Sequence, residues 1–381
     1  MAQADVIVAG LGSMGAAAAY HLARRGHSVL GVDRFAPPHD RGAHAGGSRI
    51  IRMAYLEGEE YVPLVRRSYD LWRDLEEATG ETLLTTTGGL MLGPTDSKVV
   101  GGALESARIH DLAHELLDSD DLRRRFPQFS PGDGDVGLYE EVAGLVRPES
   151  AIAAHLRLAA EAGATVRAGV AVRGWEANAS GVRVETDDGP LHADRLVIAP
   201  GAWASDLVRL PVPLRVERRV QHYWQPTGPA EDFAPGRLPV WIWEYAPGAM
   251  AYGLPELGGG VKAALHHGPD PVDPYTGAAA PTADEIAAMR EWLRGRLPRL
   301  AEGEWVDAKP CLYTITPDEH FIIGRHPDHP AVSVACGFSG HGFKFSPVIG
   351  EILADLTESG ATSHPIALFD PARPRTAAEV D

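Results

Sequence analysis

The stretch Asp5-Val6-Ile7-Val8-Ala9-Gly10-Leu11-Gly12-Ser13-Met14-Gly15 constrains the fold of this 381-residue chain more than any other. Val6 to Val8 is a β-branched run, and the glycines after it stand in G-x-G-x-x-G spacing just where a helical pattern begins that runs to Arg25. A strand, a tight turn and a helix are expected. Gly10 permits the turn, Gly12 admits a pyrophosphate against the backbone, and Gly15 lets helix and strand pack closely, while the free N–H groups of the first helical turn face the phosphates. A second apolar run, Ser28 to Val32, ends at Asp33, eighteen residues after Gly15, where a carboxylate meets ribose hydroxyls. A bare glycine fingerprint also occurs as a turn without ligand. Strand, helix and acid in succession favour a dinucleotide site and leave open which dinucleotide.

The formal charge of −17, from 35 basic and 52 acidic side chains, argues against nucleic acid or an anionic membrane as partner, since both need a basic face. Cys311 and Cys336 are too few for a disulfide framework, so a reducing cytoplasm is expected. Near the start no basic segment precedes an apolar run of signal-peptide length, and no run approaches the ~20 apolar residues of a membrane span. No metal site is expected.

Along the chain, Tyr61 to Ala78 has a 3.6-residue pattern and reads as an amphipathic helix. Thr85 to Leu92 reads as a strand pair around Gly88-Gly89, and residues 95–130 as helical and surface-facing. The Ala-rich helix Ser150 to Ala162 and the strand starting at Gly163 give a β-α-β rhythm that returns to the first sheet. From Arg215 to Leu265 the character changes to aromatic strands: Val220 to Trp224, Val240 to Tyr245, Met250 to Gly253 and Val261 to His266. The expected fold is α/β, a Rossmann-like cofactor domain (1–85, 145–215 and 305–381) with an inserted antiparallel-sheet α+β substrate domain (86–144 and 216–304). Within Val261 to His266, a period of two puts Lys262, Ala264 and His266 on one face.

Three blocks carry a more specific signal: Ser48-Arg49-Ile50-Ile51-Arg52, Cys311-Leu312-Tyr313-Thr314-Ile315-Thr316-Pro317-Asp318-Glu319, and Gly337-Phe338-Ser339-Gly340-His341-Gly342-Phe343-Lys344-Phe345. In order and spacing the chain resembles, nearly end to end, the monomeric sarcosine oxidase and N-methyltryptophan oxidase family. The resemblance implies an FAD enzyme, with flavin attached through a cysteine, that oxidises secondary amines of N-alkylated amino acids with oxygen as acceptor. It implies a monomer whose partners are a small amino-acid substrate and oxygen.

On that resemblance Cys311 matches the flavin-bearing cysteine, Arg52 and Lys344 the pair that holds the substrate carboxylate, and Arg49 an arginine beside the flavin ring. Lys262 matches the lysine of oxygen activation, His266 an active-site histidine, and Tyr252 and Tyr313 groups lining the substrate site. The glycine turn Gly340 to Gly342, opening the last helix, is expected to face the flavin pyrimidine edge. Further candidate cofactor contacts are Ser13, Met14, Arg34, Ser48, Val172, Gly201, Trp203 and Phe343, with Lys344 in this role as well. Plainer readings stand beside these: Cys311 as a small buried hydrophobe, the cations as surface groups, the tyrosines as core. Trp224, Trp241, Trp243 and Tyr245 fit either a sheet core or the wall of a roomy pocket.

The chain departs from the family at Ala45, Gly47 and Leu265, where histidine, aspartate and tyrosine are expected, with His44 as a substitute for the first. Other readings are an oxidase or dehydrogenase of a primary or larger amino acid with noncovalent FAD, or an NAD-dependent dehydrogenase. The last leaves the Cys311 and Gly340 blocks without purpose.

Overall fold

The computed structural model describes residues 3–266 and 271–373. Strand Ala4–Ala9 runs into Gly10, and helix Ser13–Arg24 leaves the turn. Val6 and Val8 face one hydrophobic layer and Ile7 and Ala9 another, so the strand is buried on both sides, as an apolar run in a parallel sheet must be. Its parallel neighbours are Val29–Asp33 and Gly189–Ile198, extended by Thr165–Ala168 on one side and His329–Cys336 on the other. Antiparallel strands Val172–Asn178, Gly181–Thr186 and Ile322–His326 complete eight. Helices Pro148–Glu161 and Ser346–Ser359 flank Ser13–Arg24. The last approaches closely because Gly350 has no side chain; a Cβ there would lie 2.5 Å from that of Ala17.

A second eight-stranded sheet holds, in order, Glu304–Ile315, Arg215–Gln225, Val261–Leu265, Ala249–Leu254, Val240–Ala246, Gly89–Pro94, Asp135–Glu140 and Glu115–Leu117. It is antiparallel except where Val240–Ala246 meets Gly89–Pro94 in parallel. The strand carrying Cys311 pairs with Arg215–Gln225 here, so the chain rejoins the first sheet only at Ile322, later than the expected 305. A small third sheet joins Arg49–Ile51, Gly144–Val146 and Leu84–Thr86. Leu84–Thr86 and Gly89–Pro94 therefore do not pair with each other: Gly88, at φ +74°, turns the chain from the third sheet into the second. Residues 95–130 are not uniformly helical either. Helices Lys98–Ile109 and Ser119–Arg125 flank a strand, Glu115–Leu117, and Val99, Val100 and Ala103 bury one side of the first against Met91 and Leu138. Helix Ala283–Arg294 starts at a capping box between Thr282 and Glu285.

One face of the second sheet is a packed aromatic core. Trp224, Trp241 and Trp243 are buried there with Phe129 and Trp292, and the Trp241 and Trp292 rings stack at 5.7 Å. The tryptophans are thus core, with Tyr245 packed at the edge of the same cluster. Alternation puts Arg219, Gln221 and Tyr223 on the opposite face, directly across from Cys311, Lys309 and Lys262. That face looks toward loop Ala43–Ser48.

Candidate active site

At the turn, glycine is required twice for different reasons. Gly10 has φ +91°, and a Cβ on Gly15 would stand 1.7 Å from the Gly10 carbonyl oxygen. Gly12 is different: a Cβ there would meet only His44 Nδ1, at 4.0 Å, because it points into a cavity. Asp33 Oδ2 accepts the Leu11 N–H at 2.7 Å and Oδ1 the Phe35 N–H at 2.8 Å, which fixes the turn and leaves lone pairs for a diol. The cavity, about 370 Å³, runs from this turn past Ser13, Met14, Arg34, Val172, Gly201 and Trp203 to Arg49, Tyr313, Gly340, Gly342 and Phe343. Of the remaining expected contacts, Gly15 is packed against the turn and Ser48, Cys311 and Lys344 are buried outside the lining. Two ring nitrogens on the cavity wall, His44 Nε2 and Trp203 Nε1, are buried without a hydrogen-bond partner among the described residues. An open glycine position, a diol acceptor and unpaired donors suit a dinucleotide such as FAD.

At the inner end, loop Ala43–Ser48 is pinned through its backbone. Arg49 donates to the carbonyls of Ala43 and Ala45, each at 2.7 Å, and to Gln221 Oε1 at 2.9 Å. Tyr223 OH and Lys262 Nζ both donate to Gly46 O, and Lys262 also reaches Ser48 O at 2.8 Å. Glu149 Oε1 accepts the N–H groups of Gly46 and Gly47. Main-chain contacts thus hold the loop that carries Ala45 and Gly47, and the His44 ring lines the cavity beside Gly12. Burial, reinforced by Arg49, holds the Lys262 ammonium well below its usual range. Burial raises the Cys311 thiol, with Arg49 and Lys262 pulling against it.

His266 follows the end of strand Val261–Leu265, and its ring lies 6.2 Å from that of Tyr252 and 5.6 Å from that of Tyr313, on the side to which Lys262 points. The two tyrosine oxygens are 3.5 Å apart. Gly340 makes room for Tyr313, since a Cβ on it would lie 2.1 Å from the ring. The Gly340 turn does not open the last α-helix directly: a 3-10 turn, Phe343–Phe345, comes first and places the Lys344 side chain inward.

A second pocket, about 70 Å³, shares Arg49, Tyr313, Gly340 and Phe343 with the cavity and adds Arg52, Glu57, Tyr252, His266, His341 and Lys344. Arg52 is buried, donates to Glu57 Oε2 at 2.7 Å, and lies 4.3 Å above the Tyr55 ring. Lys344 Nζ donates to His341 O at 2.8 Å and to Tyr55 OH at 3.3 Å. His341 Nε2 bonds Glu319 O, so Nδ1 is left to accept from Tyr55 OH at 2.7 Å. Burial and Arg52 bring the Lys344 ammonium down to about 7, with Glu57 opposing. Burial alone would raise the Glu57 carboxyl, yet Arg52, His341 and Lys344 bring it to about 2. Tyr55, Glu57, Gln221 and Tyr223 are not among the expected site residues, and His341 stands in the Gly337–Phe345 block without an expected role; the short spacing from Arg52 to Glu57 is the one further hint.

A glycine turn for a dinucleotide, opening onto a buried set of cations and tyrosines, defines a dinucleotide-dependent oxidoreductase. Residues 5–356 match the family described as FAD dependent oxidoreductase. The chain is 48% identical over 374 residues to a monomeric sarcosine oxidase of Streptomyces avermitilis, covering 97% of each, and 36% identical over 371 residues to an N-methyl-L-tryptophan oxidase of Salmonella dublin, covering 96% and 97%. Among solved structures, the open form of NikD, an amino acid oxidase of nikkomycin biosynthesis, superposes with a TM-score of 0.85 at 26% identity over 98% of each chain. The chain belongs to the FAD-dependent oxidoreductases, in the family of monomeric sarcosine oxidase and N-methyl-L-tryptophan oxidase.

Proposed function

We propose that the protein oxidises the C–N bond of a secondary-amine amino acid, N-methyl or cyclic, to an imine, with oxygen reduced to hydrogen peroxide and FAD tethered through Cys311. The observation that carries this reading is the sharing of Arg49, Tyr313, Gly340 and Phe343 between the dinucleotide cavity and the Arg52/Lys344 pocket. An amino acid whose carboxylate is held by Arg52 and Lys344 thereby puts its amine at the inner end of the cofactor cavity. The relatives' names, sarcosine oxidase and N-methyl-L-tryptophan oxidase, support the substrate class.

FAD supplies the two-electron acceptor. The chain's own groups do the rest. Arg52 releases Glu57, whose partly exposed carboxylate turns toward solvent, and takes the substrate carboxylate in its place. Tyr55 OH fixes Lys344 Nζ, with His341 fixing Tyr55 in turn. The cations Arg49, Lys262 and Lys344 disfavour an ammonium nearby, so the amine binds with its lone pair free to assist loss of hydride from the adjacent carbon. Tyr252, Tyr313 and His266 wall the amine. In its ammonium form Lys262 Nζ, held by two carbonyls, keeps a third N–H and its charge for oxygen as oxygen gains electrons. The imine then takes up water to give an amine and a carbonyl compound, or stays as a cyclic imine.

The cofactor domain is assigned to 1–85, 145–215 and 305–381 and the substrate domain to 86–144 and 216–304, with strand Glu304–Ile315 paired into the sheet of the latter. The protein acts as a monomer in the cytoplasm. A peroxide assay over N-methyl, cyclic and primary amino acids tests the substrate class: turnover confined to primary amines overturns it. Acid precipitation tests the tether, since yellow colour released into solution refutes the Cys311 link.

A further inference from the structure

The outer end of the dinucleotide cavity, away from the reacting groups, carries a cluster with no part in the chemistry above. Arg34 follows the diol acceptor Asp33. Its guanidinium carbon lies 4.8 Å from the ring centroid of Tyr275 and 5.6 Å from that of Trp203, so the cation is held by two aromatic faces. Tyr275 comes from the other side of the cavity, on a segment that leaves the second sheet. Val272 N–H donates to Val216 O at 2.9 Å, and Arg218 Nε donates to Ala279 O at 2.8 Å, so this segment is tied at both ends. Between the ties, Asp273 Oδ1 accepts the Tyr275 N–H and Asp273 O accepts the Thr276 hydroxyl, a tight turn with the tyrosine at its tip. The Tyr275 hydroxyl donates to Asp206, on the helix that follows Trp203.

Arg34, Trp203, Asp206 and Tyr275 all line the cavity, yet Tyr275 remains 53% exposed. A large ring left in solvent, tied by its hydroxyl across a cavity mouth and stacked on a cation, is placed for a planar ligand and not for the core. We infer that residues 272–279 form a strap over the adenosine end of FAD, with Tyr275 and Arg34 as its clasp, and that this clasp selects the dinucleotide over mononucleotide flavins. The inference rests on the family's FAD dependence and not on the substrate proposed above.

The test uses full-length Cys311→Ser protein, stripped of flavin, with FAD and FMN as probes and flavin fluorescence as readout. Tyr275→Ala is expected to raise the FAD dissociation rate by roughly tenfold and leave FMN binding unchanged, because FMN lacks the adenosine. Tyr275→Phe keeps the stack and loses only the Asp206 bond, so its effect is expected to be a few-fold at most. Unchanged FAD dissociation in Tyr275→Ala, or equal weakening of FAD and FMN, overturns the strap. Acid precipitation reads the Cys311 tether separately, so neither result depends on the other.

Discussion

Arg52 Nη2 and Glu57 Oε2 lie 2.7 Å apart in the pocket, so the anion that Arg52 holds belongs to its own chain. Arg52 Nη1 is also bonded, to Ala54 O at 2.5 Å, while Nε is buried without a partner among the described residues. Both terminal nitrogens are thus engaged within the chain, and a ligand carboxylate reaches Arg52 only by taking the place of Glu57.

Replacing Glu57 by Gln leaves a buried arginine without its counter-charge. The ligand-free protein is expected to lose on the order of 3 kcal/mol, the low end for a broken buried pair, because the Glu57 side chain keeps 18% exposure. A small carboxylate such as acetate should restore more of the melting temperature in Glu57→Gln than it adds to the unsubstituted protein. Equal ligand-induced shifts in the two would show that Arg52 does not meet the ligand carboxylate.

Lys344 gives the same pocket a pH dependence. With the ammonium lowered by burial and by Arg52 to about 7, it is charged below that pH and neutral above it. Binding of a carboxylate without an amine should therefore weaken as pH rises through about 7, with a dissociation constant climbing by at most about tenfold per pH unit for one proton. Lys344→Met should bind weakly at every pH and show no break. Titration of an amine-free inhibitor from pH 5.5 to 9 measures both; an unchanged break in the variant would assign it to another group.

The nucleotide half of the site was legible in the sequence because its parts are neighbours in the chain: Gly10, Gly12, Gly15 and Asp33 sit within one strand-turn-helix-strand unit. Alternation along one strand gave the face on which Lys262 lies, while its role came only from the resemblance. The clamp on loop Ala43–Ser48 was not, since Gln221 and Tyr223 reach it only through the register that sets Arg215–Gln225 against Glu304–Ile315 and Val261–Leu265, and one sequence does not fix a register between distant strands. Tyr55 and His341, 286 residues apart, meet through tertiary packing alone. The aromatic strands could be read as pocket or core for a related reason: alternation assigns two faces without saying which one helix Ala283–Arg294 covers.

Two glycines of one motif should respond in opposite ways. Gly15→Ala puts a Cβ 1.7 Å from a backbone oxygen, so the turn must move and the flavin-free protein should melt well below the unsubstituted one. Gly12→Ala meets nothing closer than His44 Nδ1 at 4.0 Å, so its flavin-free melting temperature should stay within a degree or two, on the order of 0.5 kcal/mol, while FAD affinity falls by at least about tenfold. Melting curves and flavin titration of the two apoproteins check this. A Gly12→Ala protein that binds FAD normally would place the pyrophosphate elsewhere.

On the function proposed above, a substitution at Lys262 should separate the two halves of the reaction. Its Nζ is held at 2.6 Å and 2.8 Å by the carbonyls of Gly46 and Ser48, facing the side of the sheet where Arg49 and Cys311 lie, behind the walls of both the carboxylate pocket and the dinucleotide cavity. A charge so placed has little to offer the carboxylate. It has much to offer oxygen, which enters neutral and gains negative charge in a site of low dielectric where one fixed donor is worth about two orders of magnitude in rate. Lys262→Met, close in length and without charge, should slow reoxidation by oxygen by about a hundredfold and change anaerobic reduction by substrate only a few-fold. Stopped-flow absorbance measures the two steps apart. Slowing of both to the same degree would make Lys262 a support for loop Ala43–Ser48, and no slowing of either would remove it from the reaction.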